Sequence, residues 1–265
     1  MIKTIEFKGA SCFYNVEGKG NAVMLVHGFV EEASMWNGIL KALSKRYKVI
    51  APDLPGFGQS PMTKGKLSME TYAEFLHEIL EKEKVKQCVL IGHSMGGYAA
   101  LHFVEKYPSL LKGFGLINSH CFEDSAEKKA NRKKGNEFIA KHGTKAFVNE
   151  IYNNLFHSSF KKKNQKLIKG MIADAEKYSP EALIAANTAM MSRKDKSHVL
   201  TKTKVPVLLI SGKQDETVPL EYSLKQASLA AVTDFHLLDK TKHMSFVEKK
   251  KETIAAIGNF IELCY

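Results

Sequence analysis

A serine flanked by glycines follows a predicted buried strand and precedes a predicted helix in this chain. The segment Gly92-His93-Ser94-Met95-Gly96 comes directly after the apolar run 88–91. In such an elbow the chain reverses so sharply that the serine adopts a strained backbone conformation and its hydroxyl projects above the sheet. The glycines leave space where side chains would collide with the strand and the helix. The pattern predicts that Ser94 is a nucleophile.

A serine hydroxyl is a weak nucleophile, so this prediction requires a histidine base and an acid that orients the base. Asp215 lies just after the β-branched run 205–210, at the carboxyl end of a predicted strand, where open α/β sheets place functional groups. Of the ten histidines, His243 alone follows that acid and lies in a loop past the end of the next strand. We therefore predict that Asp215 is the acid and His243 the base. Two neighbouring carboxylates remain alternatives for the acid: Glu216 and Asp239.

With these residues in place, the chain resembles the α/β-hydrolase fold superfamily from about residue 22 to its C-terminus. The resemblance rests on segments that occur in the expected order: His27-Gly28-Phe29, Trp36, 53–60, 92–97, 212–215 and 243–246. It implies a carboxylesterase-like serine hydrolase with a Ser94-His243-Asp215 triad and a helical cap. Val30-Glu31-Glu32 departs from the small residues frequent after the His-Gly-Phe segment, which leaves the shape of the pocket mouth open.

The same resemblance implies an oxyanion hole made by two backbone N–H groups. Acyl transfer places negative charge on a former carbonyl oxygen, and preorganised N–H donors stabilise that charge. We expect one donor to be the N–H of Met95, immediately after the nucleophile, and the other to be the N–H of Phe29, after the predicted strand 23–26. A simple strand-ending turn remains the alternative for His27-Gly28. Asp53 precedes a Pro/Gly turn, and we expect it to hydrogen-bond that loop.

The order of predicted elements indicates an α/β fold, with a doubly wound, mostly parallel sheet of about eight strands. The predicted strands lie near residues 3–7, 12–16, 23–26, 49–51, 89–91, 115–118, 207–210 and 234–238. Helices after the inner strands cover both faces of the sheet, as right-handed crossovers require. We predict a core domain over residues 1–119 and 197–265, and an inserted helical cap over residues 120–196.

The predicted cap would cover the Ser94 pocket and exclude water from it. Its methionines and phenylalanines favour an apolar substrate, although most of them could equally bury the cap helices against one another. We predict substrate contacts from His120 and Phe122, which follow the strand ending at Asn118, and from His93 in the elbow. A solvent-facing loop histidine remains the alternative for His120.

Composition restricts the class of protein further. The chain has 265 residues, a net charge of +11 and 44% hydrophobic residues, which suit one globular enzyme domain. Its lysine clusters lie beside glutamates on predicted helices and lack interleaved aromatic residues, so we predict no nucleic-acid partner. Attraction of anionic substrates by the basic surface remains open. The four cysteines have no paired short spacing, which indicates free thiols and no metal or other cofactor.

The chain carries no apolar run of about 18 residues, so no membrane span is expected. The first seven residues alternate like an edge strand and have no signal-peptide core, and we expect a cytoplasmic protein. The expected partner is a small-molecule ester, and a homodimer stays open.

Together these features predict a serine hydrolase that cleaves carboxylic esters of small to medium, apolar substrates through an acyl-enzyme. One alternative is a C–C bond hydrolase of vinylogous diketone ring-cleavage products. Such enzymes often carry Asn where His93 stands and an arginine near the pocket, for which Arg193 is the late cap candidate. Haloperoxidase-like or acyltransferase activity, and a non-catalytic ligand-binding protein on the hydrolase fold, also remain open.

Overall fold

Eight strands form one sheet in a computed structural model that describes residues 1–265. Their order across the sheet is β1-β2-β4-β3-β5-β6-β7-β8. The strands are β1 Ile2–Phe7, β2 Ala10–Glu17, β3 Ala22–Val26, β4 Lys48–Pro52, β5 Cys88–His93, β6 Leu111–Ile117, β7 Val207–Gly212 and β8 Thr233–Leu238. The predicted α/β fold with a mostly parallel sheet of about eight strands is confirmed.

Strand burial follows from position in the sheet. β1 and β2 pair antiparallel and alternate between buried and more exposed residues, because one face packs on the core and the other meets solvent. Every residue of β3, β5 and β7 is buried, because these strands pair in parallel and have both faces covered. The sequence accordingly shows continuous apolar runs there instead of alternation.

The order of the strands fixes where a ligand site can form. The chain runs from β3 outward to β4 and then returns past β3 to β5, with which β3 pairs in parallel. A crevice opens outside the carboxyl ends of strands at such a switch point. The loop after β3 and the elbow after β5 therefore face each other across one crevice.

Eleven α-helices and two short 3-10 helices complete the fold. The α-helices are α1 Asn37–Leu43, α2 Met69–Lys82, α3 Met95–Lys106, α4 Ala126–Leu155, α5 Ser158–Lys163, α6 Gln165–Ala175, α7 Pro180–Ser192, α8 Ser197–Lys202, α9 Leu220–Ala227, α10 Ser245–Glu248 and α11 Lys250–Cys264. None of them is both long and apolar enough to cross a membrane.

Helices α4 to α8 all come from the segment between β6 and β7. The Ser125 hydroxyl caps the start of α4 by accepting a hydrogen bond from the Lys128 N–H at 3.1 Å. Gly143, at φ +79°, breaks α4 into two parts, and the helix packs against α6 and α7. The assignment of residues 120–196 as a separate cap domain stays a prediction.

Candidate active site

Ser94 has the strained conformation that the elbow requires. Its φ of +47° and ψ of −114° lie outside the regions that L-residues normally occupy, and its N–H donates to the Ile117 carbonyl at 3.0 Å. A Cβ at Gly92 would strike the backbone of Gly96, and a Cβ at Gly96 would strike the Val26 carbonyl. The two glycines therefore let β5, α3 and β3 approach one another closely enough to hold the serine in this position.

Ser94, His243 and Asp215 form a continuous chain of hydrogen bonds. His243 Nε2 lies 2.9 Å from Ser94 Oγ, and His243 Nδ1 lies 2.9 Å from Asp215 Oδ2. A carboxylate only accepts hydrogen bonds, so Nδ1 carries the proton and Nε2 is left to accept one from the serine. The two alternative acids lie elsewhere: Glu216 pairs with Lys242, and Asp239 accepts from Gln214.

Asp215 is buried and held by several donors. The Thr217 and Val218 N–H groups donate to Oδ1 at 2.8 and 3.0 Å, and the Asn118 amide donates to Oδ2 at 2.9 Å. Burial alone would raise the pKa of Asp215, but His243 and these donors together hold it below its ordinary value. The carboxylate is thus charged and fixed in orientation.

Two backbone N–H groups beside Ser94 have no acceptor within the protein: those of Phe29 and Met95. Met95 is the first residue of α3, so its N–H is one of the four that a helix start leaves free. Phe29 follows β3 across the crevice, and its side chain lines the same cavity as Ser94. The arrangement leaves both donors free to bind an oxygen atom that carries developing charge.

His93 does not line that cavity, contrary to our expectation of a substrate contact. Its ring is fully buried, with Nδ1 2.9 Å from Glu31 Oε1 and Nε2 2.9 Å from the His243 carbonyl oxygen. Both partners only accept hydrogen bonds, so both ring nitrogens must donate and the ring is an imidazolium. Burial opposes this charge, but the Glu31 carboxylate outweighs it and raises the pKa of His93. The Gly28 N–H also donates to Glu31, at 2.7 Å.

The cavity next to Ser94 has a volume of about 300 Å³, at the small end of the range for ligand sites. It is lined by the loop after β3, the elbow, two helices of the insertion and the loops that carry the triad. The lining residues are Phe29, Val30, Glu31, Ser94, Tyr98, Lys128, Asn131, Arg132, Gly135, Phe147, Ile151, Asn154, Leu155, Asn187, Met190, Thr217 and His243. No cluster of three or more His, Cys, Asp or Glu side chains is placed to hold a metal ion.

His120 and Phe122 lie behind this cavity and do not line it. His120 is buried, and its Nε2 is 3.3 Å from the hydroxyl of Tyr98, which does line the cavity. Burial, and next the Arg193 charge, lowers the pKa of His120 to about 3, so the ring is neutral. His120 borders a neighbouring cavity of about 320 Å³, and Phe122 packs against His120 and Tyr222.

Sequence reasoning missed two charged side chains of the insertion that line the cavity, Lys128 and Arg132. Arg132 lines the cavity and pairs with Asp124 at 2.6 Å, and Lys128 lines it one turn earlier. Arg193 pairs with the same carboxylate at 2.9 Å and lies over the Tyr98 ring, 3.8 Å from its centroid. The signal was present as helical spacing: residues 128, 131, 132 and 135 recur on one face of α4. Their position beside glutamates on a predicted helix indicates only a solvated face for the lysines of this region.

A family model for the alpha/beta hydrolase fold matches residues 21–250. The chain belongs to the α/β-hydrolase fold family. The predicted family is thereby confirmed. In this α/β-hydrolase, Ser94 lies at the crevice between β3 and β5. The match covers the loop after β3, the elbow, the insertion and both loops that bring Asp215 and His243 to the serine.

Similar proteins include esterases and one other hydrolase. A thermophilic esterase from Thermogutta terrifontis, solved with malate bound, superposes with a TM-score of 0.92 at 28% identity, covering 99% of this chain and 97% of the esterase. The pimeloyl-[acyl-carrier protein] methyl ester esterase of Aeromonas hydrophila is 26% identical over 92% of this chain and 96% of its own. The 2-hydroxy-6-oxo-2,4-heptadienoate hydrolase of Pseudomonas putida is 24% identical, with 92% and 90% covered.

Other relatives match only in part. An uncharacterised protein of Mycobacterium tuberculosis is 32% identical over 119 residues, which are 44% of this chain and 35% of the relative. The chain therefore spans about a third of the length of its mycobacterial relatives.

Proposed function

We propose that this α/β-hydrolase is a serine hydrolase that cleaves carboxylic esters of small to medium size through a Ser94-His243-Asp215 triad. The observation that carries the proposal is the unbroken hydrogen-bond chain from Asp215 to Ser94, which ends at a cavity with two free N–H groups beside it. That combination supplies a nucleophile, a base, an orienting acid and oxyanion donors in one place.

The reaction proceeds in two steps. Ser94 Oγ attacks the ester carbonyl carbon while His243 Nε2 takes its proton, and the N–H groups of Phe29 and Met95 hold the oxyanion. Asp215 stabilises the imidazolium that forms. His243 then protonates the leaving alcohol, which departs and leaves the acyl group on Ser94. In the second step His243 activates water, which releases the acid and restores the serine.

In this proposal the insertion over residues 120–196 acts as a cap. Two of its helices, α4 and α7, contribute ten of the seventeen cavity-lining residues. Their positions opposite Ser94 would exclude bulk water from the reacting carbonyl, which strengthens every electrostatic contact there. The phenylalanine and isoleucine on the second part of α4, Phe147 and Ile151, give that end of the cavity an apolar wall.

Hydrolysis of p-nitrophenyl esters from acetate to decanoate tests the proposal. We expect turnover by the wild-type protein with an optimum at a short acyl chain, because the cavity is small, and a loss of at least about 10³-fold in Ser94→Ala. Ser228→Ala is the control and should retain activity, since Ser228 is exposed and its hydroxyl donates only to the Lys225 carbonyl. An esterase activity that Ser94→Ala retains would contradict the assignment.

Hydrolysis of a C–C bond is a second candidate. It is supported by the similarity to the 2-hydroxy-6-oxo-2,4-heptadienoate hydrolase of Pseudomonas putida. It is also supported by two arginines at or near the cavity, Arg132 and Arg193. His93 stands where such enzymes often have Asn, which favours the ester. Loss of the absorbance of a 2-hydroxy-6-oxo-dienoate, faster than turnover of every ester, would favour the second candidate.

A further inference from the structure

The first part of α4 turns a polar, cationic face toward Ser94. Lys128, Asn131, Arg132 and Gly135 follow the spacing of one helix face, and all of them line the Ser94 cavity. A helix face that covers a pocket is ordinarily apolar. Past the break at Gly143, the same helix presents an apolar face, so the cavity has one charged end and one apolar end.

Positive charge exceeds negative charge at the polar end. The Asp124 carboxylate neutralises part of the charge there, since it pairs with both Arg132 and Arg193. Glu31 is the one carboxylate that lines the cavity, and it is paired with His93. Lys128 has no ion pair and its ammonium has no hydrogen-bond acceptor in the protein.

The surroundings of Lys128 disfavour its charge. Burial lowers the pKa of Lys128, and the nearby Arg132 guanidinium lowers it further. The Asp124 and Asp215 carboxylates act in the opposite direction but do not outweigh burial and Arg132, and Asp124 is itself paired with Arg132 and Arg193. Two further acids of the adjoining cavity have other partners: Glu123 pairs with Lys129 and Glu216 pairs with Lys242. A half-buried ammonium in this position is best stabilised by an anion that enters the cavity.

We infer that Lys128 binds a carboxylate on the substrate, so that the preferred substrate is an ester with an additional anionic group in its acyl or its alcohol part. The inference rests on the proposed ester hydrolysis and adds the class of substrate. A neutral ester of the same size leaves the Lys128 charge uncompensated in the closed complex, whereas an anionic ester compensates it. The preference therefore appears mainly in KM, because the contact lies away from the reacting carbonyl.

Two matched pairs of probes test this. In the first pair the acyl part varies: p-nitrophenyl hydrogen adipate against its terminal amide. In the second pair the alcohol part varies: 4-(butanoyloxy)benzoate against 4-(butanoyloxy)benzamide. We expect the wild-type protein to prefer the carboxylate in at least one pair by about tenfold to a hundredfold in kcat/KM, the range expected for a hydrogen-bonded charge.

Lys128→Met should reduce this preference to about onefold, mainly by raising KM for the carboxylate probe, and circular dichroism shows that the variant is folded. Lys128→Arg should keep the preference, because it keeps the charge. Lys133→Met is the matched control, since Lys133 lies exposed on the same helix and lines no part of the cavity. It should behave as the wild type.

Equal rates for carboxylate and amide in both pairs, or a preference that survives Lys128→Met, would overturn the inference while ester hydrolysis stands. Failure of the proposed function looks different. In that case no probe of either pair is turned over by a process that Ser94→Ala abolishes, and the inference falls with it.

Discussion

Asp215 accepts from His243, Asn118, Thr217 and Val218, so both of its oxygens are fully engaged. An acid that only balanced charge would not need this many donors. Their effect is to fix the direction of the carboxylate and hence the tautomer and plane of the His243 ring. Its depressed pKa keeps it ionised well into the acid range, so its own protonation does not limit activity near neutral pH.

Asp215→Asn should therefore lower kcat by about 10⁴-fold, because the amide can donate to Nδ1 and reverses the tautomer that the reaction needs. The fold should survive, since the amide has nearly the same shape. Steady-state kinetics with a p-nitrophenyl ester, alongside circular dichroism, measures both. Glu216→Gln and Asp239→Asn are the controls and should retain activity. A large loss in either control, with Asp215→Asn active, would assign the acid elsewhere.

Glu31 connects the backbone of two loops that lie on either side of Ser94. It joins the Gly28 N–H, one residue before Phe29, to His93, which in turn donates to the His243 carbonyl. Both charged side chains are almost wholly buried. One ion pair thus connects the loop after β3 with the loop that carries the base, and holds them at a fixed distance on either side of Ser94.

Glu31→Ala should lower the free energy of unfolding by about 3–5 kcal/mol, because it leaves a buried imidazolium without its partner. Activity should fall as well, since the Phe29 and His243 loops lose their common anchor. Urea denaturation followed by tryptophan fluorescence gives the first quantity. Glu32→Ala, one residue further on and only half-buried, should change stability much less. Equal effects of the two substitutions would mean that the pair does not hold these loops.

At the scale of elements, the site depends on how closely α3 approaches β3. A Cβ at Gly96 would collide with the backbone carbonyls of Val26 and His27, which belong to β3 and its loop and have no room to move. Any side chain at this position must push α3 away from the sheet and carry Ser94 and the Met95 N–H with it.

Gly96→Ala should consequently destabilise the protein and abolish ester hydrolysis, although alanine is the better helix former. Thermal unfolding and p-nitrophenyl acetate turnover measure the two effects. Gly258→Ala is the matched control: Gly258 lies in α11 and has open space where a Cβ would stand. That substitution should raise stability by about 0.5–1 kcal/mol. A Gly96→Ala protein as stable as Gly258→Ala would contradict the argument.

The central strands and the elbow around Ser94 are predictable from the sequence, because each depends on residues that are close together in the chain. The fully buried runs of β3, β5 and β7 and the glycines around Ser94 each reflect a nearby steric or burial constraint. Side-chain direction in the insertion was not predictable in the same way. Lys128 faces the cavity while its neighbour Lys129 pairs with Glu123 on the surface, and only the packing of α4 decides between them.

The same limit applies to the histidines. His93 and His120 lie near Ser94 in sequence or in the fold, yet both are buried behind the cavity wall, against Glu31 and Tyr98 respectively. Their partners lie 62 and 22 residues away in the chain. No single-sequence pattern reports a pairing of that kind, so neither the position of His93 in the elbow nor that of His120 after β6 indicates that both rings are buried behind the cavity.

At the scale of the whole molecule, one carboxylate ties the antiparallel edge of the sheet to its parallel centre. Glu83, just after α2, pairs with Lys3 of β1 at 2.7 Å and with Lys48 of β4 at 2.8 Å, and it accepts from the Tyr14 hydroxyl of β2 at 2.9 Å. Its side chain is only 5% exposed. Burial alone would raise the pKa of Glu83, but these three donors lower it to about 2.

The pKa of Glu83 in the folded protein lies below the value of about 4.3 for a glutamate in an unfolded chain. Its charge therefore stabilises the folded protein at pH values above about 4.3, and this contribution is lost as the pH falls toward 2. Glu83→Gln should lower the free energy of unfolding by about 1–3 kcal/mol at pH 7. The difference from the wild type should shrink steadily between pH 5 and pH 3, as measured by urea denaturation across that range. Glu262→Gln removes an exposed ion pair with Arg46. It should leave the pH dependence of the free energy of unfolding as it is in the wild type. A Glu83→Gln deficit that stays constant with pH would show that shape, not charge, holds the edge strands to the sheet.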